Sequence, residues 1–267
     1  FATRPLLKGK IQPKVLSLSG VVARLKRDAQ GRVSIRGGQA AEAPAREAAT
    51  LPQLIGQMDE ILQSPALGAL RRVELRALTL RYDDERVGRG WTVDGGRLIL
   101  QRDGRDLALS ADLAVLSGGA GVATLAVNYN SRIGETAADF GVSFDGVAAR
   151  DIAAQGPEFA WLDVLRAPIS GSVRSGLNSD GRFAPLNATL QIGKGAVQPN
   201  ALTKPVPFDG ARSYFSYDPA KRLLRFDELS VRSPWITGQA TGTASLTTDG
   251  VQGPLTELIG QITLSNL

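Results

Sequence analysis

The sequence predicts a mainly β protein: a long antiparallel sheet, strongly curved and bulged into a groove or taco, with two short helices. Three observations predict it. Between Leu70 and Leu116 apolar and polar residues alternate, with turn residues at short intervals. A period of two places successive side chains on opposite faces of a strand, whereas a helix repeats near 3.6. Asp-Gly occurs at 94, 103, 145, 180, 209 and 249, and this pair favours the tight turns of hairpins. Finally, 30 Gly and 14 Pro among 267 residues break the chain too often for a helical protein and suit many short strands.

Taken in order, residues 1–36 form a basic hairpin segment of the sheet. Val15 to Leu25 is one limb, Arg27-Asp28-Ala29-Gln30-Gly31 the turn, and Arg32-Val33-Ser34-Ile35 the other. Residues 37–68 hold a linker, Gly37 to Ala49, and an amphipathic helix. Thr50-Leu51-Pro52-Gln53 is a capping box with Pro in the first turn. Leu54, Ile55, Met58, Ile61 and Leu62 then share one helical face, opposite Gln53, Gln57, Asp59 and Glu60, and Ser64-Pro65 ends the helix.

Residues 69–267 form the main sheet domain. Val73, Leu75 and Ala77 point one way, and Leu78, Leu80 and Tyr82 continue the apolar face after a one-residue slip. Such a slip is the mark of a β-bulge. Leu113 to Ser131 has no charged residue. Its length would suit a membrane span, but Ser117-Gly118-Gly119-Ala120-Gly121 sits in its middle and makes it a hairpin. Ala123, Leu125, Val127 and Tyr129 share one face, and Phe140, Val142 and Phe144 form the next strand. A second helix is predicted near 157–166, where Phe159, Leu162 and Leu165 line one side before Ala167-Pro168. Strands follow from Ile169 and over Leu186 to Ile192, with a loop from Gly193 to Phe208. Arg212–Tyr217 and Leu223–Phe226 make a hairpin over Asp218-Pro219-Ala220-Lys221. Ile236 to Leu246 alternates cleanly, with Gly238, Ala240, Gly242 and Ala244 on one face. Small residues there let something approach the backbone closely.

Composition excludes several chemistries. With no Cys and no His, there are no disulfides, no thiolate or imidazole metal ligands, and no imidazole acid–base catalysis. Gly193-Lys194-Gly195 lacks the spacing of a phosphate loop, and no Ser stands three residues before a Lys. Asp83-Asp84-Glu85 lacks the spaced oxygens of a calcium loop and reads as a charged turn. A carboxylate pair assembled by the fold stays open. The pI near 9.7 suggests nucleic acid, but residues 1–36 carry nine basic side chains and one acid, net +8, so the rest carries −3 of the total +5. The basicity belongs to one segment, which either guards a strand edge or faces anionic lipid headgroups. Trp91, Trp161 and Trp235 are not interleaved with basic residues as a single-strand platform requires.

Several stretches together resemble the AsmA-like superfamily of Gram-negative envelope proteins, in particular its large YhdP-type members, with TamB more distant. They are the basic strand closing on Arg27-Asp28-Ala29-Gln30-Gly31-Arg32-Val33, the linker and amphipathic helix, and Val73 to Asp84. The Trp161-Leu162 helix running into Pro168-Ile169-Ser170-Gly171 and the run Gly238 to Leu246 complete the series. The resemblance implies an inner-membrane anchor outside this chain, a periplasmic body, and a hydrophobic β-groove that conducts phospholipids between inner and outer membranes. The chain begins at Phe1 without Met or a signal peptide, as expected of a piece of a longer protein. On this reading the candidate groove residues are Leu107, Leu109, Leu113, Leu125, Val127, Phe140, Val142 and Phe144. The opposite reading makes them a closed core. The expected partners are phospholipid acyl chains, both membranes and other envelope proteins, with no nucleic acid, no cofactor, no metal and no catalysis. One alternative is a scaffold for outer-membrane assembly that binds protein through an exposed strand edge. Another is a carbohydrate-active or nucleic-acid-binding β protein.

Overall fold

The computed structural model describes residues 12–37, 50–116, 121–154, 157–200, 202–235, 237–246 and 255–265. The linker from 38 to 49, the turn at 117–120 and Ile236 lie outside the described residues. Strands make up 63% of the structure, which settles its class as mainly β. Among the described residues, fourteen strands belong by pairing to one open sheet, not closed into a barrel, and three form a second, small sheet. The chain divides into two compact units, 1–140 with 177–182, and 141–176 with 183–267.

In the first unit, β1 (Val15–Ser19), β2 (Val22–Arg27) and β3 (Val33–Gly37) precede α1 (Leu51–Gln63). Then come β4 (Arg72–Asp84), β5 (Arg89–Asp103), β6 (Asp106–Leu116), β7 (Val122–Arg132) and the start of β8 (Ala138–Ala148). β4 through β7 are an antiparallel meander in sequence order. β2 and β3 form the expected hairpin, closed by Asp28, whose Oδ1 accepts from the Gln30 and Arg32 amides at 3.0 and 2.9 Å.

The sheet is mainly antiparallel as expected, with one parallel part. β1 and β2 lie end to end along β4, and both run parallel to it. The physical reason is the long connection through α1, which returns the chain to the same end of the sheet as a tight turn cannot. The bulge read from the phase slip is present. The β4–β5 register shifts between Leu75 and Leu78 and again between Leu78 and Leu80, and Ala77 sits at φ 49°. In the second irregular interval, where Asp94 and Gly95 face Thr79, Gly95 sits at φ 72°.

α1 begins as predicted, with the Gln53 side chain accepting from the Thr50 amide at 2.8 Å. Its inward face is turned from the expected one. Ile55, Asp59 and Leu62 are buried, whereas Leu54 and Ile61 are exposed. Asp59, assigned by sequence to the polar face, accepts a 2.7 Å hydrogen bond from the Gly134 amide. Tertiary pairing of that main-chain donor outweighs the periodicity. Leu62 packs with Leu70, Leu107 and Ile133, and Ile55 with Ala138 and Leu177. Arg102 donates to the Leu62 carbonyl at 2.9 Å, placing a cation at the negative end of the helix dipole.

In the second unit, β8 runs into α2 (Ala149–Ala153), which the sequence did not announce. The helix predicted near 157–166 is instead a 3₁₀ helix over Pro157–Val164, and Leu165–Arg166 are strand β9. Spacing explains the correction: Phe159, Leu162 and Leu165 recur every three residues, the period of a 3₁₀ helix rather than an α-helix. β10 (Pro168–Leu177), β11 (Leu186–Ile192), β14 (Gly210–Asp218), β15 (Leu223–Arg232), β16 (Thr237–Leu246) and β17 (Leu255–Ser265) pair antiparallel in that order. The stretch expected as a loop from 193 to 208 contains β12 (Gly195–Val197) and β13 (Val206–Phe208), which with β9 make the small sheet. Ala149, Leu162 and Ile169 form the core of this unit, with Phe144, Leu190 and Ile192 against it.

Candidate functional site

The candidate site is the apolar face of β6 and β7 in the first unit. Period-two alternation puts Leu109, Ala111, Leu113 and Val115 on one side of β6. The register sets Leu109 opposite Tyr129, Ala111 opposite Val127, and Leu113 opposite Leu125. The same face continues across β5 and β4, where Leu100 pairs with Leu109 and with Val73, and Leu98 with Ala111 and with Leu75. It extends to β1 through Leu16 opposite Val73 and Leu18 opposite Leu75. Five strands thus carry one apolar surface.

α1 covers one end of that surface. Leu107 is 2% exposed beneath it, and Leu16, Val73, Leu100 and Tyr129 are drawn into its clusters. Leu109, Leu113, Leu125 and Val127 are half-buried and belong to none of the three buried clusters among the described residues. Gly96 helps shape this uncovered part. A Cβ there would fall 2.9 Å from Val93 Cγ1 and 3.0 Å from Leu113 Cδ2, so its absence lets Leu113 lie down on the sheet.

The eight predicted groove residues therefore separate. Leu109, Leu113, Leu125 and Val127 come together on the uncovered face, and Leu107 is sealed under the helix. Phe140 is half-buried on β8, on the same side as Ala138 two residues before it. Val142 and Phe144 lie in the second unit, where Phe144 packs on the Ala149–Leu162–Ile169 core.

The second unit has an apolar face of its own. Ile169, Leu190 and Ala188 on β10 and β11 lead through Phe215 on β14 to Phe226, Leu229 and Val231 on β15. Gly238, Ala240, Gly242 and Ala244 of β16 follow, then Ile262 of β17. Exposure is uneven along this row: Ile169 and Ala244 are 2% exposed, Leu229 is 37% and Ile262 is 74%. The sequence reading singled out β16 but did not connect these strands, because nothing local states which strand lies beside which.

Polar features sit elsewhere. On the other face of β4, Glu74 is buried and accepts from Arg76 Nε at 2.9 Å and Arg97 Nη2 at 2.8 Å, with Arg72 Nη2 at 3.5 Å. The hydrogen bonds from Arg76 and then Arg97 hold its carboxyl at about 2, below the ordinary 4.5, against the opposing effect of burial. A depressed carboxyl stabilises the folded form above its unfolded pKa, and that contribution is lost as pH falls from about 4.5 toward 2. Thermal melts across this range are expected to drop for the wild type and to flatten for Glu74→Gln. Parallel curves would mean that Glu74 does not drive the acid loss.

Asp84, read from the sequence as part of a charged turn, closes β4 and is 4% exposed. It takes hydrogen bonds from Tyr82 Oη and the Arg86 amide, both at 3.0 Å, so it staples the end of β4. Tyr82 in turn stacks on Trp91 across the strand pair, with ring centroids 5.5 Å apart. Among the described residues no cluster of carboxylates suits a metal ion.

A cavity of about 820 Å³ opens at the end of the first unit where Arg71, Arg72, Arg102 and Arg132 meet Asp103, Asp106 and Asp139. Leu107 is the one predicted groove residue that lines it. The lining comes from the ends of separate strands, which is why no local motif revealed it.

Comparisons with family models, with curated proteins and with solved structures give no match. Among the described residues no helix is long and apolar enough to cross a membrane.

Proposed function

We propose that this chain is a phospholipid-binding segment of an inner-membrane-anchored periplasmic protein that conducts lipids between inner and outer membranes. The observation that carries the reading is the uncovered row of Leu109, Leu113, Leu125 and Val127, half-buried on a five-strand apolar face that α1 covers at one end only. Along this face Leu107 and Ala111 are buried, while the longer side chains of Leu109, Leu113, Leu125 and Val127 around Ala111 stay half-buried. The resemblance of the 27–33, 73–84 and 238–246 stretches to the AsmA-like superfamily supports the same reading. The energetics fit without catalysis. A chain of about sixteen carbons leaving water gains roughly 12 kcal/mol at ~0.8 per methylene, so an apolar track lowers the barrier to its movement. β6 has 11 residues, and a strand that long extends roughly 36 Å at ~3.3 Å per residue, longer than half a hydrocarbon core of ~15 Å.

The test is native mass spectrometry with lipid extraction, on protein purified without detergent from a bacterial host. Phospholipid at a reproducible ratio is expected, and Leu109→Asp with Val127→Asp should remove it while leaving circular dichroism unchanged. Lipid-free wild-type protein, or unfolding of the double variant, would sink the reading.

A second reading has one observation in its favour. β17 ends the strand order with a single charged residue, Glu257, and with Ile259 and Ile262 exposed at 61% and 74%. A long, weakly charged edge is a template for another strand, as a scaffold in outer-membrane assembly would need. Lipid-free protein that associates through this edge, and stops doing so with Ile262→Lys, would favour it.

A further inference from the structure

We propose that Lys14, Arg71 and Arg102 form a binding site for a phosphate group, which under the lipid reading above is the phosphodiester of a phospholipid headgroup. The headgroup assignment rests on that reading; the anion site does not.

The fold lines up these cations through the main chain. The Arg71 amide donates to the Lys14 carbonyl at 2.7 Å, and the Arg102 amide donates to the Arg71 carbonyl at 2.8 Å. The start of β1, the start of β4 and the end of β5 therefore carry Lys14, Arg71 and Arg102 at one level of the sheet. Like charges on neighbouring strands repel, and an arrangement of three calls for a counter-charge. No described residue provides it by ion pairing with Lys14 or Arg71. Arg102 directs Nε to the Gly104 carbonyl and Nη1 to the Leu62 carbonyl, both at 2.9 Å. Those bonds fix its guanidinium without neutralising it.

The three side chains line a cavity of about 330 Å³, together with Gly68, Ala69, Leu70 and Gly104, and no acid contributes to its wall. That volume falls within the ~300–1,000 Å³ of ligand pockets. The nearby acids Asp103, Asp106 and Asp139 line the larger cavity, which Arg71 and Arg102 also reach, and Asp106 is paired there with Arg132 at 3.7 Å. Guanidinium forks match the paired oxygens of a phosphate, and a Lys adds a mobile point charge. Leu70 both lines the cavity and belongs to the buried cluster of Leu62, Leu107 and Ile133. The site thus stands at the charged sheet end, beside the part of the apolar face that α1 covers, with the half-buried row of Leu109, Leu113, Leu125 and Val127 beyond that cluster.

The test is titration calorimetry with three probes: inorganic phosphate, lysophosphatidylcholine below its micelle concentration, and an uncharged alkyl glucoside. The proteins are wild type, Lys14→Gln with Arg71→Gln, and Leu109→Asp with Val127→Asp. Arg102 is left in place because it caps α1. Wild type is expected to bind phosphate, and the Lys14/Arg71 variant to bind it at least tenfold more weakly with unchanged circular dichroism. Equal phosphate binding by these two proteins, or none by wild type, overturns the site. Lysophospholipid is expected to bind at least tenfold more tightly than phosphate. The Leu109/Val127 variant should lose that advantage and still bind phosphate. Phosphate and lysophospholipid binding equally well would leave an anion site for free phosphate and overturn the headgroup assignment. Glucoside binding as tight as lysophospholipid would also overturn it, since the phosphate would then contribute nothing.

Discussion

Leu107→Ala is expected to destabilise the first unit by about 2–5 kcal/mol, the range for truncating a buried Leu that leaves a cavity. Leu107 is 2% exposed and packs in one cluster with Leu62, Leu70 and Ile133. These come from α1, the segment after it and the turn that follows β7, so the surroundings cannot close over the gap without moving separate pieces of chain. Val127→Ala removes fewer methyl groups from a half-buried site, and its cost should be about 1 kcal/mol. Urea denaturation of both variants measures the contrast. Equal losses would show that α1 does not divide the apolar face into a sealed end and an uncovered one, and the lipid reading would lose its main support.

That division is also where sequence reading stopped. The alternation from Leu70 to Leu116 was enough to place β4, β5 and β6, because a period of two is a local property. The bulge was legible for the same reason: one residue slipped at Ala77, and the register shift is found beside it. Leu109, Leu113, Leu125 and Val127 were rightly grouped on one face, since a single hairpin relates them. What was not legible needed partners distant in sequence. Nothing in Leu107 itself tells it from Leu109; α1, about fifty residues earlier, seals one and not the other. Asp59 reads as surface by helical periodicity, and only the unpaired amide of Gly134 draws it inward. The parallel seating of β1 and β2 on β4 depends on a connection whose length permits it but does not dictate it. The cation row of Lys14, Arg71 and Arg102 likewise exists only once three strands are in register.

Gly171→Ala should be among the most damaging small substitutions in the second unit, costing about 3 kcal/mol, the upper part of the usual range for overpacking. Gly171 pairs with Leu190 across β10 and β11. A Cβ built on it would fall 3.0 Å from Leu190 Cδ2 and 3.3 Å from Leu190 Cα, and still closer to the Thr189 carbonyl oxygen. The Leu190 methyl could swing aside, but the carbonyl belongs to the ladder and could retreat only by breaking pairing. Leu190 also packs against the core of Ala149, Leu162 and Ile169, so a shifted β11 would disturb that core as well. Gly56→Ala is the control. Gly56 lies in α1 with nothing within 4 Å of its added Cβ, and there alanine should stabilise by roughly 0.5–1 kcal/mol through helix propensity. Denaturation midpoints moving in opposite directions for the two variants would establish that β10 and β11 approach as closely as described. A neutral Gly171→Ala would place those strands farther apart and remove the close packing on which the apolar face of the second unit begins.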